Sequence, residues 1–573
     1  MRDSAKGLSR RAFFASAATV GAFAAFGAVG CAAPKAAVSK SDTATAPAIG
    51  AGSRSWLGEA PQISDTDCVE KLSFDVVVVG AGTAGYFAAC AAAESGAKTL
   101  LIEKGSQGDS VRSSALGAIG TKLQAARGIS IDPAEITNDI DRYAQGRCDA
   151  RLIRLWADNS GEAIDWYIDL MAQNGIEVQL EWNMPEGTVY KEWPVGHGTN
   201  GEYPAREGDV AQVMDAYLTS FPGCEERFST AMQCLIEENG KVVGLYAKDS
   251  RGLLRIDASR GVIVATGGYA YNREMYQGLH AEDYASHGTF DAFPNCTGDG
   301  IKSLMWLGAE MDSVPSSVSF NRCLLTADMA EGTPYEVGSD GYGYFFFSSQ
   351  PFLRVDHAGR RFHNESAPYD YVMKASANRP AGNRFWHQIW DSNWREDIDR
   401  FHTVGCSTIC YREGADHDAF PEMVDEWIAP EMEGFVEAGY IVKADTLEEL
   451  AEKLGITDSA AFLETCARQN ENFDVGSDKD FGKEAFRLSE LRTPPYYGTV
   501  KSCGFTLCTT DGIRVNVDLQ PYGRDGMPIE GVRVVGNDQG GFYGGTYPNL
   551  APGLNAGRCA TFGRLAGKSL AAK

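Results

Sequence analysis

Positive charge is scarce in this sequence. Its 573 residues include 52 Lys and Arg against 77 Asp and Glu, which gives a formal net charge of −25 at pH 7. A nucleic-acid partner would need a basic face, so we predict no nucleic-acid binding. The acidic excess indicates little more, because acidic surfaces mostly serve solubility.

Cysteine patterns typical of disulfide scaffolds or metal sites are also missing. The 14 cysteines show no pairs repeated at a fixed spacing, and Cys406 and Cys410 have no second pair to complete a metal site. Without a C-x-x-C-H motif, no covalent haem is encoded. No internal repeat stands out. The chain is too long for one ordinary core, and we expect two domains.

The N-terminus is not predicted to belong to the fold. Arg10 and Arg11 precede two phenylalanines, and an uncharged run rich in Ala and Gly follows over residues 12–30. The pattern resembles a twin-arginine export signal, so we assign residues 1–45 to signal and linker. The alternative is an uncleaved membrane anchor, which is disfavoured because the run is rich in small residues and ends at "GAVGC". The twin-arginine route carries folded proteins, typically with a cofactor already bound.

The end of this segment also allows a lipid anchor. The residues "AVGC" resemble a loose lipoprotein box, with Cys31 as the lipidated residue. An apolar branched residue is preferred where Ala28 stands, so lipidation stays open. We therefore predict an extracytoplasmic protein, in the periplasm or at the cell surface, with or without a lipid anchor.

The strongest motif is a strand–glycine–helix–strand unit at residues 74–105, "FDVVVVGAGTAGYFAACAAAESGAKTLLIEKG". The β-branched run from Val76 to Val79 predicts a strand buried on both faces. An Ala-rich helix ending near Gly96 and a second strand over 99–102 follow. The first strand runs into a G-x-G-x-x-G sequence formed by Gly80, Gly82 and Gly85.

This motif predicts dinucleotide binding. The glycines allow a tight turn and let a pyrophosphate approach the helix N-terminus, where N–H groups and the macrodipole favour anions. Glu103 ends the second strand and is placed to accept hydrogen bonds from ribose hydroxyls. NAD and FAD both fit the motif at this step.

Three later stretches indicate FAD. They are "GVIVATGGYAYN" at 261–272, "NCTGDGIKSLMWLGAEM" at 295–311 and "GVRVVGNDQGGFYGGTYPNLAPGLNAGRCATFGRLAGKSLA" at 531–571. Together with the first motif they resemble the fumarate reductase/succinate dehydrogenase flavoprotein superfamily, which also contains the 3-ketosteroid dehydrogenases. The resemblance covers roughly residues 72–573.

The resemblance implies an FAD site formed by all these segments. We expect FAD to be non-covalent, since no His or Cys stands in an obvious flavin-attachment context. The last helix would aim its N-terminus at the pyrimidine edge of the flavin, which suits the negative charge of a reduced flavin. The implied cofactor-binding residues are Gly80, Gly82, Thr83, Ala84, Gly85, Glu103, Lys104, Ser113, Ser114, Ala265, Thr266, Gly267, Asp299, Asn537, Gly553, Leu554 and Asn555.

The resemblance also implies an α/β fold with a discontinuous Rossmann-like FAD-binding domain. Its two parts would be residues 72–312 and 488–573, with an α+β capping domain inserted at 313–487. The inserted part shows helical patterns at 420–438 and 446–472. The cleft between the domains is the predicted substrate site.

The inserted part carries the stretch "RRFHNESAPYDYV" at 360–372. In fumarate reductases a proton-donating arginine stands at the position of Tyr369, and a carboxylate-binding arginine aligns with Tyr547. Phe505 stands about where a carboxylate-binding histidine belongs. A dicarboxylate needs cationic partners in a dry cleft, so fumarate is not the predicted substrate.

The two tyrosines resemble those of the 3-ketosteroid dehydrogenases. In that family Tyr369 would be the acid/base, while Tyr547 and the backbone N–H of Gly553 would polarise a ketone oxygen. The segment "TYPNLAPG" is about two residues longer than the family's "TYPGPG", which affects Gly553 more than Tyr547. The structural alternative is that both tyrosines are amphipathic core residues, as most tyrosines are.

Two neighbouring features have simpler interpretations. We expect Arg361 and Glu365 to pair and brace the loop before Tyr369, and His363 to be a loop residue without a catalytic role. The aromatic stretch "GYGYFFFSSQPF" at 341–352 predicts a core strand, with a hydrophobic wall for a bulky ring substrate as the alternative.

The predicted activity is reduction of the C=C bond in a neutral, bulky α,β-unsaturated carbonyl compound, with steroids as one candidate class. Such chemistry needs a hydride from flavin N5, a proton for the α-carbon and stabilisation of the carbonyl oxygen. A neutral tyrosine, with an ordinary pKa of about 10, can donate that proton at pH 7. Export without a haem segment implies a separate electron donor at the membrane, a cytochrome or flavoprotein, as in anaerobic respiration. The alternatives are 3-ketosteroid-type dehydrogenation and a flavin-binding electron carrier without substrate chemistry.

Overall fold

The fold is taken from a computed structural model. It describes residues 54–108, 111–181, 189–199, 207–289, 294–329, 343–380, 382–403, 407, 409 and 423–572. The predicted signal segment with Cys31 lies outside the described residues, as do Cys406 and Cys410.

The main sheet grows from the predicted strand–glycine–helix unit. Strand β1 (Cys68–Val79) pairs in parallel with β2 (Thr99–Ile102) and with β8 (Gly252–Val264), and its last four residues are buried. The strand order is β5-β2-β1-β8-β7-β6, with β17 paired to the carboxyl end of β8. The added strands are β5 (Glu225–Arg227), β6 (Ala231–Glu238), β7 (Lys241–Asp249) and β17 (Val532–Val534). The predicted parallel Rossmann-like core is confirmed.

Two buried helices, one near the beginning and one at the end of the described chain, pack against each other beside this sheet. Helix α1 (Thr83–Glu94) packs against α14 (Leu554–Ala571), and both are poor in large side chains at their contact. A Cβ on Gly563 would come within 2.4 Å of the Ala84 carbonyl oxygen, and one on Gly567 within 2.2 Å of the Ala88 carbonyl oxygen. Only glycine allows this approach, which brings the N-termini of two predicted cofactor-binding helices to one side of the sheet.

The remaining helices are mostly peripheral to this core. Helix α4 (Ala150–Gln173) packs on both α3 and α14. The other helices are α2 (Lys122–Ala126), α3 (Pro133–Tyr143), α5 (Glu207–Thr219), α6 (Arg273–Leu279), α7 (Ala281–Tyr284), α8 (Asp299–Trp306), α9 (Tyr369–Ala377), α10 (Trp394–Phe401), α11 (Ala429–Glu437), α12 (Leu447–Leu454) and α13 (Ser459–Val475).

Two four-stranded sheets have the orders β11-β10-β16-β9 and β12-β13-β15-β14, and all of their strands except β9 follow α8 in the chain. A short β3–β4 pair completes the strands. Their bounds are β3 (Gln179–Leu180), β4 (His197–Gly198), β9 (His287–Thr289), β10 (Ser317–Leu325), β11 (Gly343–Tyr344), β12 (Leu353–Val355), β13 (His387–Trp390), β14 (Ile441–Ala444), β15 (Tyr496–Thr499) and β16 (Lys501–Thr509).

The helical patterns predicted at 420–438 and 446–472 are divided in the structure. In the second, Gly455 adopts a φ of +69° and ends α12, and Asp458 then caps α13 through its side chain. Within the first, a π-helical turn over Met423–Ile428 precedes α11. The stretch 446–472 is therefore helical as predicted, but it forms two helices because a left-handed glycine interrupts the apolar repeat.

The aromatic stretch at 341–352 belongs mainly to a core rather than to a cavity wall. Phe345, Phe347 and Phe352 are fully buried in a cluster with Trp390 and Trp394. From residue 343 onward, the described part of the stretch forms β11 and a 3-10 turn instead of one continuous strand.

The described residues from 54 to 572 form one compact unit. The proposed division at 72–312, 313–487 and 488–573 stays a prediction. Among the described residues, no helix is long and apolar enough to span a membrane.

Candidate active site

Two cavities meet at the carboxyl ends of β1 and β8. One, the nucleotide cavity, has a volume of about 540 Å³ and is lined by Gly80, Glu103, Lys104 and Asp299 among others. The second, the central cavity, has a volume of about 880 Å³. Both are bordered by Gly82, Ala265, Gly267 and Cys296. The shared border makes them two halves of one elongated site.

The glycine motif shapes the point where these halves meet. Gly80 adopts a φ of +104°, and a Cβ there would lie 2.3 Å from the Ala265 carbonyl oxygen. A Cβ on Gly85 would lie 1.7 Å from the Gly80 carbonyl oxygen, so this glycine serves helix–strand packing. No side chain caps the N-terminus of α1 at Gly82. The helix end is therefore open to an anionic group.

Acidic and basic side chains close the far end of the nucleotide cavity. Glu103 accepts hydrogen bonds from the backbone N–H groups of Ala81 at 2.9 Å and Gly105 at 2.7 Å, which fixes its carboxylate at the cavity wall. Lys104 pairs with Asp299 at 2.8 Å, which links the first motif to the "TGDG" loop. The arrangement suits a ribose and its phosphate.

A buried aspartate holds the "ATGG" segment in place. Asp538 accepts hydrogen bonds from the backbone N–H and hydroxyl of Thr266 and, at 3.0 Å, from the N–H of Gly268. Burial raises the pKa of Asp538 to about 6, although these hydrogen bonds favour its charged form. This residue was not anticipated from the sequence, since its partners lie some 270 positions away.

The start of α14 forms the other wall of the central cavity. Gly553 caps the helix with a φ of +74°, and a Cβ there would lie 2.3 Å from the Ala115 carbonyl oxygen. Asn555 donates to Asn537 at 2.9 Å. The fully buried Arg558 donates to the Asn555 side chain at 2.9 Å, so a cation lies next to the helix N-terminus. This favours negative charge at the same edge of the cavity.

Most of the predicted cofactor residues line the two cavities. Four do not: Gly85, Ser113, Ser114 and Leu554 are absent from both linings. Gly85 packs against the strand turn, and the Leu554 N–H is used by the Ala551 carbonyl. The backbone carbonyl of Ser113 accepts a hydrogen bond from the Thr199 N–H, and Ser113 follows Arg112, which lines the central cavity. The residues present therefore fit an extended dinucleotide with a charged middle section.

Tyr369 lies at the start of α9 and lines a third cavity of about 540 Å³, the Tyr369 cavity. The hydroxyl of Ser407 donates to the Tyr369 hydroxyl oxygen at 3.0 Å. The Tyr369 ring packs on Phe320 with centroids 4.8 Å apart, and Phe320 lines the central cavity. Tyr369 thus stands one ring away from the central cavity.

Tyr547 reaches the central cavity from the opposite wall, where Gly553 also lies. Its backbone N–H donates to Asp370 at 3.3 Å, and the hydroxyl of Tyr143 donates to the same carboxylate. Of the three predicted catalytic residues, Tyr547 and Gly553 line the central cavity, whereas Tyr369 lines the Tyr369 cavity. Asp370 links the Tyr369 segment to Tyr547.

The loop before Tyr369 is braced as predicted. Arg361 pairs with Glu365 at 2.7 Å and with Asp478 at 2.8 Å, and all three side chains are nearly or fully buried. Burial lowers the pKa of His363 to about 3, so this histidine is neutral and its Nδ1 contacts the Asn364 carbonyl. Phe505 is buried opposite Phe320 on paired strands and lies outside the three cavity linings.

Comparison with known families decides the cofactor. The family described as FAD binding domain matches residues 75–554 of this chain. The chain belongs to this family. FAD is therefore its cofactor, and the nucleotide and central cavities are the places where the described residues fit its adenosine and flavin halves.

Two curated relatives are reductases. The vinyl phenol reductase of Lactiplantibacillus plantarum is 27% identical, over 87% of this chain and 96% of its own. The digoxin reductase of Eggerthella lenta is 27% identical, over 99% of this chain and 97% of its own. This flavoprotein is accordingly an oxidoreductase of the type that acts on CH–CH groups.

A solved structure confirms the fold. The 3-ketosteroid delta1-dehydrogenase of Sterolibacterium denitrificans, in complex with 1,4-androstadiene-3,17-dione, superposes with a TM-score of 0.66. It is 18% identical and the match covers 87% of this chain and 99% of that one. The likeness extends to the α/β architecture with its capping part.

Proposed function

We propose that this flavoprotein reduces the C=C bond of a neutral, bulky substrate whose alkene is conjugated to a ketone or an aromatic hydroxyl. Bound FAD in its reduced form supplies the hydride. Tyr369 donates the proton that the neighbouring carbon needs. Tyr547 and the backbone N–H of Gly553 hydrogen-bond the substrate oxygen, where negative charge grows in the transition state.

The observation that carries the proposal is the joint placement of the two tyrosines. Tyr547 lines the central cavity, and Tyr369 lies behind Phe320 with its backbone neighbour Asp370 bonded to Tyr547. Asp370 thereby links the proposed proton donor, which lines the Tyr369 cavity, to the proposed oxygen-binding group in the central cavity. Two such groups in neighbouring cavities support proton-coupled hydride transfer.

The proposal of a neutral substrate is supported by the existing partners of the basic side chains in the cavity linings. In the described linings of the central and Tyr369 cavities, each basic side chain already has a partner. Arg112 pairs with Glu207 at 2.9 Å, Lys191 pairs with Glu135 at 2.6 Å, and Arg487 donates to the Phe401 carbonyl at 3.0 Å. A dicarboxylate would have to displace these contacts, at a cost in desolvation.

The reductive direction is supported by the two relatives named as reductases. We further propose that the chain is exported by the twin-arginine route and receives electrons from a separate cytochrome or flavoprotein at the membrane. Steroid-type dehydrogenation is the second candidate, because the same two tyrosines serve both directions of proton transfer. In that direction Tyr369 would need a lowered pKa to act as a base.

The test is reoxidation of the bound flavin. Purified, FAD-loaded protein is reduced with dithionite under anoxic conditions and mixed with 4-vinylphenol, a 3-keto-4-ene steroid, a cinnamate-type acid or fumarate. The proposal predicts fast reoxidation by a neutral acceptor and none by fumarate. Reoxidation by the acids alone would contradict it. Reduction of oxidised enzyme by a saturated 3-ketosteroid, with no acceptor active, would establish the second candidate.

A further inference from the structure

We infer that Glu192 is the proton reservoir of the active site, which returns a proton to Tyr369 after each turnover. The inference rests on the proposed function, because it assigns the source of the proton that Tyr369 gives to the substrate. The observations behind it are the shared cavity, the isolation of one carboxylate oxygen and the fixed position of the Glu192 segment.

Glu192 and Tyr369 line the same cavity of about 540 Å³. The lining of this cavity is rich in hydroxyl groups, including those of Ser366, Thr403 and Ser407. Ser407 is itself hydrogen-bonded to the Tyr369 hydroxyl at 3.0 Å. Such a wall can hold solvent and pass a proton along hydrogen bonds.

One carboxylate oxygen of Glu192 is not used by the protein. Its Oε2 atom has almost no accessible surface and no hydrogen-bond partner among the described residues. A buried polar atom of this kind is uncommon in native proteins unless it has a functional role or a bound solvent molecule. Glu192 as a residue lines the Tyr369 cavity, where solvent admitted to the cavity can exchange a proton with its carboxyl group.

The backbone around Glu192 is fixed on both sides. The Val189 N–H donates to the Glu484 carboxylate at 2.8 Å, and the Trp193 N–H donates to the Leu550 carbonyl at 2.6 Å. Leu550 belongs to the loop between Tyr547 and Gly553. Glu192 is thus tied to the same loop that carries the proposed oxygen-binding residues.

The second carboxylate in this lining cannot serve as the reservoir. Glu365 pairs with Arg361 at 2.7 Å and with Lys483 at 3.4 Å. Burial opposes its charge, but these two cations hold the pKa of Glu365 well below its usual range, so it stays ionised. Among the described lining residues, Glu192 is left as the protonatable carboxyl group.

Burial and the charges near Glu192 place the pKa of its carboxyl group close to neutral pH. Burial raises the pKa of Glu192 to about 7, Glu484 adds to the rise, and Arg487 opposes it. The other charged or titratable groups at the cavity are Tyr190, Lys191, Glu365 and Tyr369. A group with this pKa can release and regain a proton at physiological pH.

The proton balance is complete. As the C=C bond becomes CH–CH, the hydride enters at one carbon and the phenolic proton of Tyr369 goes to the other. The tyrosinate then takes a proton from Glu192 through solvent admitted to the cavity, and the Glu192 carboxylate is reprotonated from outside.

The test separates the first turnover from later ones. With dithionite-reduced, FAD-loaded Glu192→Gln and 4-vinylphenol or a 3-keto-4-ene steroid, a single reoxidation should stay within about twofold of wild type, because Tyr369 still carries its proton. Steady-state turnover with excess dithionite should fall at least tenfold. Wild-type turnover should decrease as pH rises through about 7. This decrease, the alkaline limb of the pH–rate profile (the pH limb below), should be missing in Glu192→Gln.

Two further variants control the measurement. Glu431 has a pKa that burial likewise raises to about 7, and it lies outside the linings of the Tyr369 and central cavities. Glu431→Gln should keep both turnover and the pH limb, and Glu192→Asp should keep the limb at a reduced rate. If Glu192→Gln turned over at the wild-type rate with an unchanged pH limb, the inference would be overturned but the proposed function would stand. If the wild-type enzyme were inactive with every acceptor, the proposed function would be overturned as well.

An infrared titration tests the same assignment without turnover. The protonated-carboxyl C=O band of the wild-type holoenzyme, after subtraction of Glu192→Gln, should disappear with a midpoint near pH 7. A difference spectrum without such a band at neutral pH would overturn the inference.

Discussion

The side chain of Asp370 accepts a hydrogen bond at 3.3 Å from the backbone N–H of Tyr547, across 177 positions of sequence. Asp370 directly follows Tyr369, so one carboxylate connects both proposed catalytic tyrosines. Asp370 is nearly fully buried, and Tyr143 donates a second hydrogen bond to it. The contact explains how α9 and the loop before α14 keep a common geometry.

Removal of this link should misplace the tyrosines. We expect Asp370→Ala to slow reoxidation of the reduced flavin by neutral acceptors about tenfold and to lower the free energy of unfolding by about 1–3 kcal/mol, since buried donors lose their acceptor. Asp370→Asn keeps an acceptor oxygen and should retain most of the activity. Stopped-flow reoxidation and denaturant melts measure both effects. Equal rates in wild type and Asp370→Ala would show that the link does not position the tyrosines.

The close approach at Gly553 should be essential for FAD binding. Gly553→Ala places a methyl group 2.3 Å from the Ala115 carbonyl oxygen, at a φ of +74°. We expect the Kd for FAD to rise at least tenfold, because the central cavity must deform to relieve the clash. Fluorescence titration of apoprotein with FAD gives the Kd.

A glycine in an ordinary helical position provides the control for this prediction. Gly434 lies inside α11, and a Cβ there would meet nothing within 4 Å. Gly434→Ala should leave FAD affinity unchanged and stabilise the protein by about 0.5–1 kcal/mol. Equal losses of affinity in both variants would mean that the Gly553 contact has no special role.

The buried ion network at Glu365 should make the free energy of unfolding decrease at acidic pH. Burial opposes ionisation of this carboxyl, but Arg361 and Lys483 more than offset it and hold the pKa of Glu365 below its ordinary 4.5. The stabilisation is therefore fully present above pH 4.5 and is lost as pH falls toward the folded-state pKa. We expect Glu365→Gln to cost about 3–5 kcal/mol at pH 7, because two buried cations lose their partner.

Denaturant melts at pH 7 and at pH 4 test this expectation. The gap between wild type and Glu365→Gln should narrow at the lower pH, because the Glu365 carboxyl of the unfolded wild type takes up a proton there while the folded carboxylate stays ionised. Glu464→Gln, at an exposed position of α13, should change stability by less than about 0.5 kcal/mol. A gap that is unchanged between the two pH values would contradict the assigned ionisation.

Much of the FAD site could be predicted from sequence because its parts are local. The buried run Val76–Val79, the glycines after it and Glu103 lie within one supersecondary unit, and each obeys a short-range rule of strand, turn or helix end. The helix starting at Leu554 was likewise marked by Gly553, which takes the left-handed conformation at its N-terminus.

The rest of the site depends on contacts between distant segments. Asp538 and Glu192 carry no motif of their own, and each acts on residues far away in sequence. Arg558 also lacks a motif, and it reaches both Asn555 on its own helix and the Gly536 carbonyl in the preceding loop. A charged residue within the small-residue run of α14 was the one available signal for Arg558. The break at Gly455 was missed because the apolar repeat continues across it, while the left-handed glycine decides the local structure.

The most direct test of the central claim is the reoxidation rate of reduced Tyr369→Phe. A tyrosine of equal burial, Tyr497, stacks on Trp390 in the aromatic core and supplies the control variant Tyr497→Phe. With 4-vinylphenol or a 3-keto-4-ene steroid as acceptor, we expect Tyr369→Phe to slow reoxidation by about 10²–10⁴-fold, the usual contribution of a general acid. Reoxidation by ferricyanide, which needs no proton donor, and all rates of Tyr497→Phe should stay unchanged. A Tyr369→Phe rate within threefold of wild type, with the wild type active on either acceptor, would contradict the assignment of Tyr369 as the proton donor.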